Sequence, residues 1–346
     1  MLDDALRNRT RARYRLPQPD EGAVRFESST SVHTWAETHL PGTTHLPSAQ
    51  LPNPPQLLPA NFQANTVFLR TCTTDGHELE FYVDSGGGDW IYTSTADEIG
   101  AVARSAADEH TWASAELPPL RPETWIPSPQ PDGVLLLNPD GPDPDPSHPR
   151  LGRSGMLRQW WFADRIWEID YPRKRMLLHS TIPPTSSTRV PLGFPERNGT
   201  RLCHFGRVQV VIDGDTLDML LDTGAHTRLG DGADQIDSPG SVTATSFIIT
   251  SILRRWSARH PDWQVAQRAE AGSSATMIRV PSVRIGDVET GPAWFTERAD
   301  ANFTEHMSQW MDRPVVGAVG GNAFAAFRLV IDYPAAQLHI GLSHDS

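Results

Sequence analysis

Apolar residues fall on every second position in two short segments, Leu79, Phe81, Val83 and Leu217, Met219, Leu221. Alternation with a period of two puts those side chains on one face of an extended chain, so each segment predicts a short, half-buried strand. Each follows an Asp-Gly pair, Asp75-Gly76 or Asp213-Gly214, which is hairpin-turn chemistry, and each runs straight into Asp-Ser/Thr-Gly. Further along, the pattern predicts strands at Arg165 to Ile169 and Arg175 to His179 around Tyr171-Pro172. It predicts the same at Phe327 to Ile331 and Gln337 to Ile340 around Tyr333-Pro334. Short helical segments are expected to end near Phe162 and Phe324. Phe247, Ile248, Ile252 and Leu253 lie at helical spacing, with Arg254 and Arg255 elsewhere, and predict an amphipathic helix from Ser246 to Arg259. The expected class is mainly β with few helices.

These elements occur twice. The run from Asp75 to Gly86 aligns without a gap on the run from Asp213 to Gly224, and the spacing from Gly155 to Asp170 equals that from Gly317 to Asp332. Two blocks in the same order and register indicate an internal duplication. The expected organisation has three parts: an extended, Pro-rich arm over 1–64, a first copy over 65–182 and a second over 200–346. A Pro-rich stretch at 118–150 interrupts the first copy; proline lacks the donor that ladders and helices need, so it is expected to be a surface excursion.

Composition narrows the choice of function. The 346 residues include 30 Lys and Arg against 42 Asp and Glu, a formal charge of −12, which argues against nucleic acid or an anionic membrane as the main partner. No apolar run reaches the roughly 18 residues of a membrane-spanning helix. Acidic residues near Met1 do not fit a secretory leader, so the chain as written is expected in the cytoplasm, or outside it if the true start lies upstream. Two cysteines, Cys72 and Cys203, rule out a disulfide framework and are expected to be free. Thirteen histidines lack paired metal-ligand spacing, and neither a Gly-x-Ser-x-Gly elbow nor a phosphate loop is present. No metal and no cofactor is expected. Asp140 to Asp145 is expected to be a solvated loop rather than a calcium site, and His226 an exposed loop residue.

The chemistry lies in the two triplets. An aspartate at the end of an anchored strand is held rigidly at a rim. The hydroxyl that follows it fixes the loop, and the glycine lets another backbone come close. Brought face to face, Asp84 and Asp222 cannot both ionise, so the pair keeps one proton. The ionised member can then take a proton from water while the protonated member polarises a carbonyl.

In these triplets and in the Asp-Tyr-Pro hairpins, the sequence resembles the pepsin and retropepsin superfamily, particularly the small bacterial retropepsin-like domains. The resemblance covers most of 65–342 and extends to Asp84-Ser-Gly-Gly-Gly-Asp-Trp90, similar to a run in which Trp follows the first triplet. It implies an acid-protease fold, two homologous β-barrel-like lobes with few short helices and a cleft between them. It implies an aspartic endopeptidase that needs no metal and acts as a monomer on peptides or unfolded segments. Asp84 and Asp222 would be catalytic, with Ser85, Gly86, Thr223, Gly224 and Gly320 supporting their loops. The sequence departs from that family at three places. Where Ala318-Val319-Gly320 fits an apolar pair followed by glycine, the first copy offers Met156-Leu157-Arg158 or Val134-Leu135-Leu136, both without the glycine. An arginine there would either pair with Asp84 and lower its pKa or point to solvent. No tyrosine stands in the flap region, leaving Trp112 or Trp125 as substitutes. Gly87 and Ala225 lack hydroxyls that favour ionised carboxylates, which is expected to raise the lower pKa of the pair and set a mildly acidic to near-neutral working range. The alternative is an inactive peptide- or protein-binding relative of the same fold.

Overall fold

The computed structural model describes residues 55–104, 113–129, 134–138, 154–183 and 187–342. The arm over 1–54, Trp112 and the acidic loop Asp140 to Asp145 lie outside them. The structure is mainly β, with three large sheets and two small ones.

The eight-stranded sheet belongs to the first copy. Its centre holds the strand Glu78–Val83, which pairs antiparallel with Thr66–Cys72 and parallel with Gly155–Leu157. Gly155–Leu157 pairs antiparallel with Trp90–Tyr92, and that strand runs parallel to Val134–Asn138. The nine-stranded sheet repeats this arrangement in the second copy. Asp215–Asp222 pairs antiparallel with Arg207–Ile212 and parallel with Gly317–Gly320, which is antiparallel to Ser246–Ile249, itself parallel to Ala293–Arg298. The duplicated sequence thus recurs as a duplicated pairing scheme. The turn into Asp215–Asp222 has Asp213 and Gly214 at φ 55° and 78°, two left-handed residues between the paired Ile212 and Asp215. That is the geometry Asp-Gly favours in a two-residue hairpin.

A six-stranded sheet is built by both copies, in the order Gln56–Leu57, Arg175–His179, Ile166–Asp170, Phe327–Asp332, Gln337–Leu342, Thr188–Pro191. Its central seam is antiparallel, Trp167 opposite Ile331 and Ile169 opposite Leu329. The two Asp-Tyr-Pro turns cap its hairpins alike. Asp170 accepts the Arg173 N–H at 3.1 Å and Asp332 accepts the Ala335 N–H at 3.0 Å. Above this sheet Trp161 stacks on Trp167 at 4.0 Å, and Phe162 meets both Trp167 and Tyr333, so aromatic packing also bridges the copies.

Three expectations need correction. The last residues assigned to the arm form strands: Gln56–Leu57 joins the six-stranded sheet and Ala60–Gln63 pairs with Thr66–Cys72. Inside the Pro-rich excursion, Val134–Asn138 is an internal strand with Leu135 and Leu137 buried, because the prolines flank rather than interrupt it. The helix expected at Ser246 is a strand, Ser246–Ile249, followed by a helix, Thr250–Arg259, that buries Ile252, Leu253 and Trp256. A strand buried on both faces shows a continuous apolar run, which periodicity alone does not separate from helix. Both cysteines are free, and burial pushes the Cys203 thiol up to about 12.

Candidate active site

Val83 and Leu221 are sealed in the core, so the residues after them are carried to fixed points where the copies meet. Asp84 and Asp222 are 6% and 8% exposed, and their carboxyls lie within hydrogen-bond reach of each other. The glycines explain the closeness. A side-chain carbon on Gly86 would overlap the Asp222 carboxyl, and one on Gly224 would overlap Asp84. Each glycine also donates its N–H to the aspartate two residues earlier, Gly86 to Asp84 at 2.7 Å and Gly224 to Asp222 at 3.2 Å.

The hydroxyls tie the loops to one another. Ser85 Oγ donates to the Leu221 carbonyl at 2.7 Å and accepts the Thr223 N–H at 3.0 Å. The Ser85 N–H donates to Thr223 Oγ1 at 3.2 Å. All of these atoms are buried, so the clasp is rigid. Gly320 pairs opposite Asp222 beneath the second loop and donates its N–H to Ser246 Oγ at 3.0 Å. The backbone oxygen of Thr245 occupies the space where a side chain at 320 would go. The structure therefore brings together Asp84, Ser85, Gly86, Asp222, Thr223, Gly224 and Gly320.

The register also decides between the two alignments of the first copy. Val83 pairs with Leu157 as Leu221 pairs with Val319, so Arg158 stands where Gly320 stands in the second copy. Arg158 does not reach for solvent. Its Nη2 lies 2.9 Å from Asp84 Oδ2, its guanidinium carbon sits 4.3 Å from the centroid of the Trp90 ring, and the side chain is 13% exposed.

The electrostatics of the pair are unequal. Burial pushes the Asp84 carboxyl up, but the Arg158 charge, Asp222 and the Gly86 N–H together hold it below its ordinary value. Burial and the Asp84 charge push Asp222 well above its ordinary value. The expected rise of the lower pKa is thus corrected: the missing hydroxyls at Gly87 and Ala225 are outweighed by the arginine. His226 also differs from expectation. It is half-buried in the strand His226–Arg228, its Nδ1 is 2.8 Å from the Gly224 carbonyl and 3.1 Å from the Tyr82 hydroxyl, and burial lowers its pKa. Trp125 is 42% exposed at a left-handed φ of 54° after a short turn.

Three contributors escaped the sequence reading. Tyr82 crosses between the copies and donates to the Gly224 carbonyl at 2.5 Å. Asp89 accepts the N–H groups of Arg158 at 2.6 Å and Trp160 at 3.0 Å. Gly87 lies against the Arg158 guanidinium, where a side-chain carbon would overlap it. The available signal was the Gly-Gly-Asp-Trp run after the first triplet, which has no counterpart after the second. Among the described residues no group of three or more His, Cys, Asp or Glu could hold a metal, and no helix is long and apolar enough to cross a membrane.

No family model and no curated protein matches this chain. Among solved structures it is similar to conglutin gamma, a basic 7S globulin from lupine seeds, at 10% identity and a TM-score of 0.44, over 84% of this chain and 96% of that one. The expected membership of the pepsin and retropepsin superfamily is corrected accordingly. It rested on two triplets and a repeated turn, and strand ends of this geometry select such residues on steric and hydrogen-bonding grounds of their own.

Proposed function

We propose that Asp84 and Asp222 together activate a water for attack on a peptide carbonyl, making the protein an aspartic-type endopeptidase. The observation that carries this reading is the meeting of two buried carboxylates, one from each copy, with proton affinities driven apart. In the reading, the two copies are the lobes of an acid-protease architecture, and a peptide or unfolded segment lies extended in a cleft between them. Ionised Asp84 draws a proton from the water as its oxygen adds to the carbonyl carbon, while protonated Asp222 gives its proton to the carbonyl oxygen. The tetrahedral diol then collapses: the C–N bond breaks as the proton held by Asp84 passes to the leaving amine, and ionised Asp222 takes a proton back from a diol hydroxyl as the new carbonyl forms. Both carboxyls belong to one chain, so a monomer suffices, and the net negative charge points to a protein rather than a nucleic-acid partner.

A second reading has one observation in its favour. The ion pair between Arg158 and Asp84 makes Asp84 a weaker base, which suits a peptide-binding protein that does not cleave. Digestion of a diverse peptide mixture by the full-length chain from about pH 3 to pH 8 separates the two. Under the peptidase reading wild type cuts, and Asp84→Asn and Asp222→Asn each lower the rate by at least about a hundredfold. Wild type that leaves every peptide intact while retaining peptides on a column is the result the binding reading requires.

A further inference from the structure

Arg158 sits on a seat that the second copy lacks. Ile91 pairs with Gly155 as Ile248 pairs with Gly317, so Trp90 corresponds to Phe247, Asp89 to Ser246 and Gly88 to Thr245. In the second copy Ser246 Oγ accepts one N–H, from Gly320, and the Thr245 carbonyl bars any side chain at 320. In the first copy Asp89 replaces that serine and accepts two N–H groups, from Arg158 and Trp160. One carboxylate oxygen thus holds the backbone of residue 158 and the other holds that of residue 160. Its side chain then passes over Gly87, which has no Cβ to block it, lies against the Trp90 ring and ends on Asp84. Room, backbone anchor and ring all come from residues 87–90, directly behind the aspartate that the arginine contacts.

We propose that Arg158 is a positioning residue of the carboxylate pair, seated by Gly87, Asp89 and Trp90, that keeps the negative charge on Asp84 and leaves the shared proton on Asp222. This makes Asp84 the base and Asp222 the acid. The naming of base and acid rests on the proposed hydrolysis, whereas the placement of the charge does not. Every group facing Asp84 is consistent with it. Asp222, from Asp215–Asp222, competes for the proton; the Gly86 N–H and Arg158 favour the anion. His226, from His226–Arg228, is held towards its neutral form by burial, and Tyr82, on the strand Glu78–Val83 that leads into Asp84, keeps its proton. Arg158 is therefore the one permanent cation bonded to either carboxyl among the described residues. Asp222 has the Gly224 N–H and the more distant pull of the same arginine. An opposite charge this close changes an aspartate's proton affinity by roughly ten- to a thousandfold.

The test is a carbon NMR titration of the aspartate carboxyls in the full-length protein from about pH 2 to pH 8, with Asp84→Asn and Asp222→Asn used to assign the signals. Wild type is expected to keep Asp84 ionised below the ordinary carboxylate range and Asp222 protonated well above it. Arg158→Met is expected to raise the proton affinity of Asp84 at least about tenfold, and Arg158→Lys to restore most of the difference. An Asp222 that loses its proton before Asp84, or an Asp84 midpoint unmoved by Arg158→Met, overturns the proposal. If Arg158→Met does not fold, the order of the two midpoints in wild type decides alone. Peptide cleavage is scored separately: the expected order without cleavage sinks the peptidase reading and upholds the charge placement. Cleavage with the reversed order sinks the charge placement alone.

Discussion

Ser85 and Thr223 each hold the loop of the opposite copy, and neither hydroxyl has water to fall back on. Ser85→Ala strands the Leu221 carbonyl and the Thr223 N–H in a buried place, at about 1–3 kcal/mol for each orphaned group. Denaturant unfolding is expected to register a loss in that range, and cleavage to fall further than stability because the carboxyl spacing is loosened. Asp89 makes a second expectation at this scale. Burial raises its carboxyl from 3.8 to about 6 against the opposing pull of the Arg158 and Trp160 N–H groups and the Arg158 charge. The folded protein therefore binds that proton more tightly than the unfolded chain. The resulting stability is fully present below about pH 3.8 and lost as pH rises through about 6. The gap corresponds to about 3 kcal/mol. Asp89→Asn, which cannot ionise, is expected to flatten that part of the stability–pH curve, as read by urea midpoints at pH 4 and pH 7. A wild-type curve with the same slope as the variant's over this interval contradicts the assignment.

Elements that announce themselves locally were legible in the chain. The two alternating strands, the Asp-Gly hairpin turns and the paired Asp-Tyr-Pro turns each rest on residues within a few positions of one another. Asp84 and Asp222 were legible because the elements around them are repeated. The strand Ser246–Ile249 was not, since it is an apolar run leading straight into a helix, and Val134–Asn138 was hidden by flanking prolines. The seat of Arg158 was illegible for a different reason: nothing in residues 87–90 names position 158 as the partner, and it is the pairing of Gly155–Leu157 with both Glu78–Val83 and Trp90–Tyr92 that joins them. Two glycines near the carboxyls have opposite tolerances. Gly320→Ala is expected to push the Thr245 carbonyl aside and cost several kcal/mol, while Gly88→Ala meets nothing within 4 Å and is expected to stay within about 0.5 kcal/mol of wild type. Thermal unfolding of the two variants checks the contrast directly.

At the scale of the molecule, the six-stranded sheet makes the copies interdependent. A fragment ending near residue 183 leaves the strand Ile166–Asp170 with an open edge where Phe327–Asp332 should pair, and uncovers Trp167 and Phe162. Such an edge is a template for pairing between chains, so that fragment is expected to associate or precipitate on gel filtration while the full chain elutes as a monomer. The order of the strands also carries a consequence for how the protein is made. The hairpin Phe327–Leu342, which occupies the middle of that sheet, is the last described part of the chain to leave a ribosome. Until it arrives, the first copy waits with half a floor. If the peptidase reading holds, a chain that lacks this hairpin is expected to carry no competent pair of carboxyls, so destructive activity waits until the hairpin has been made and paired.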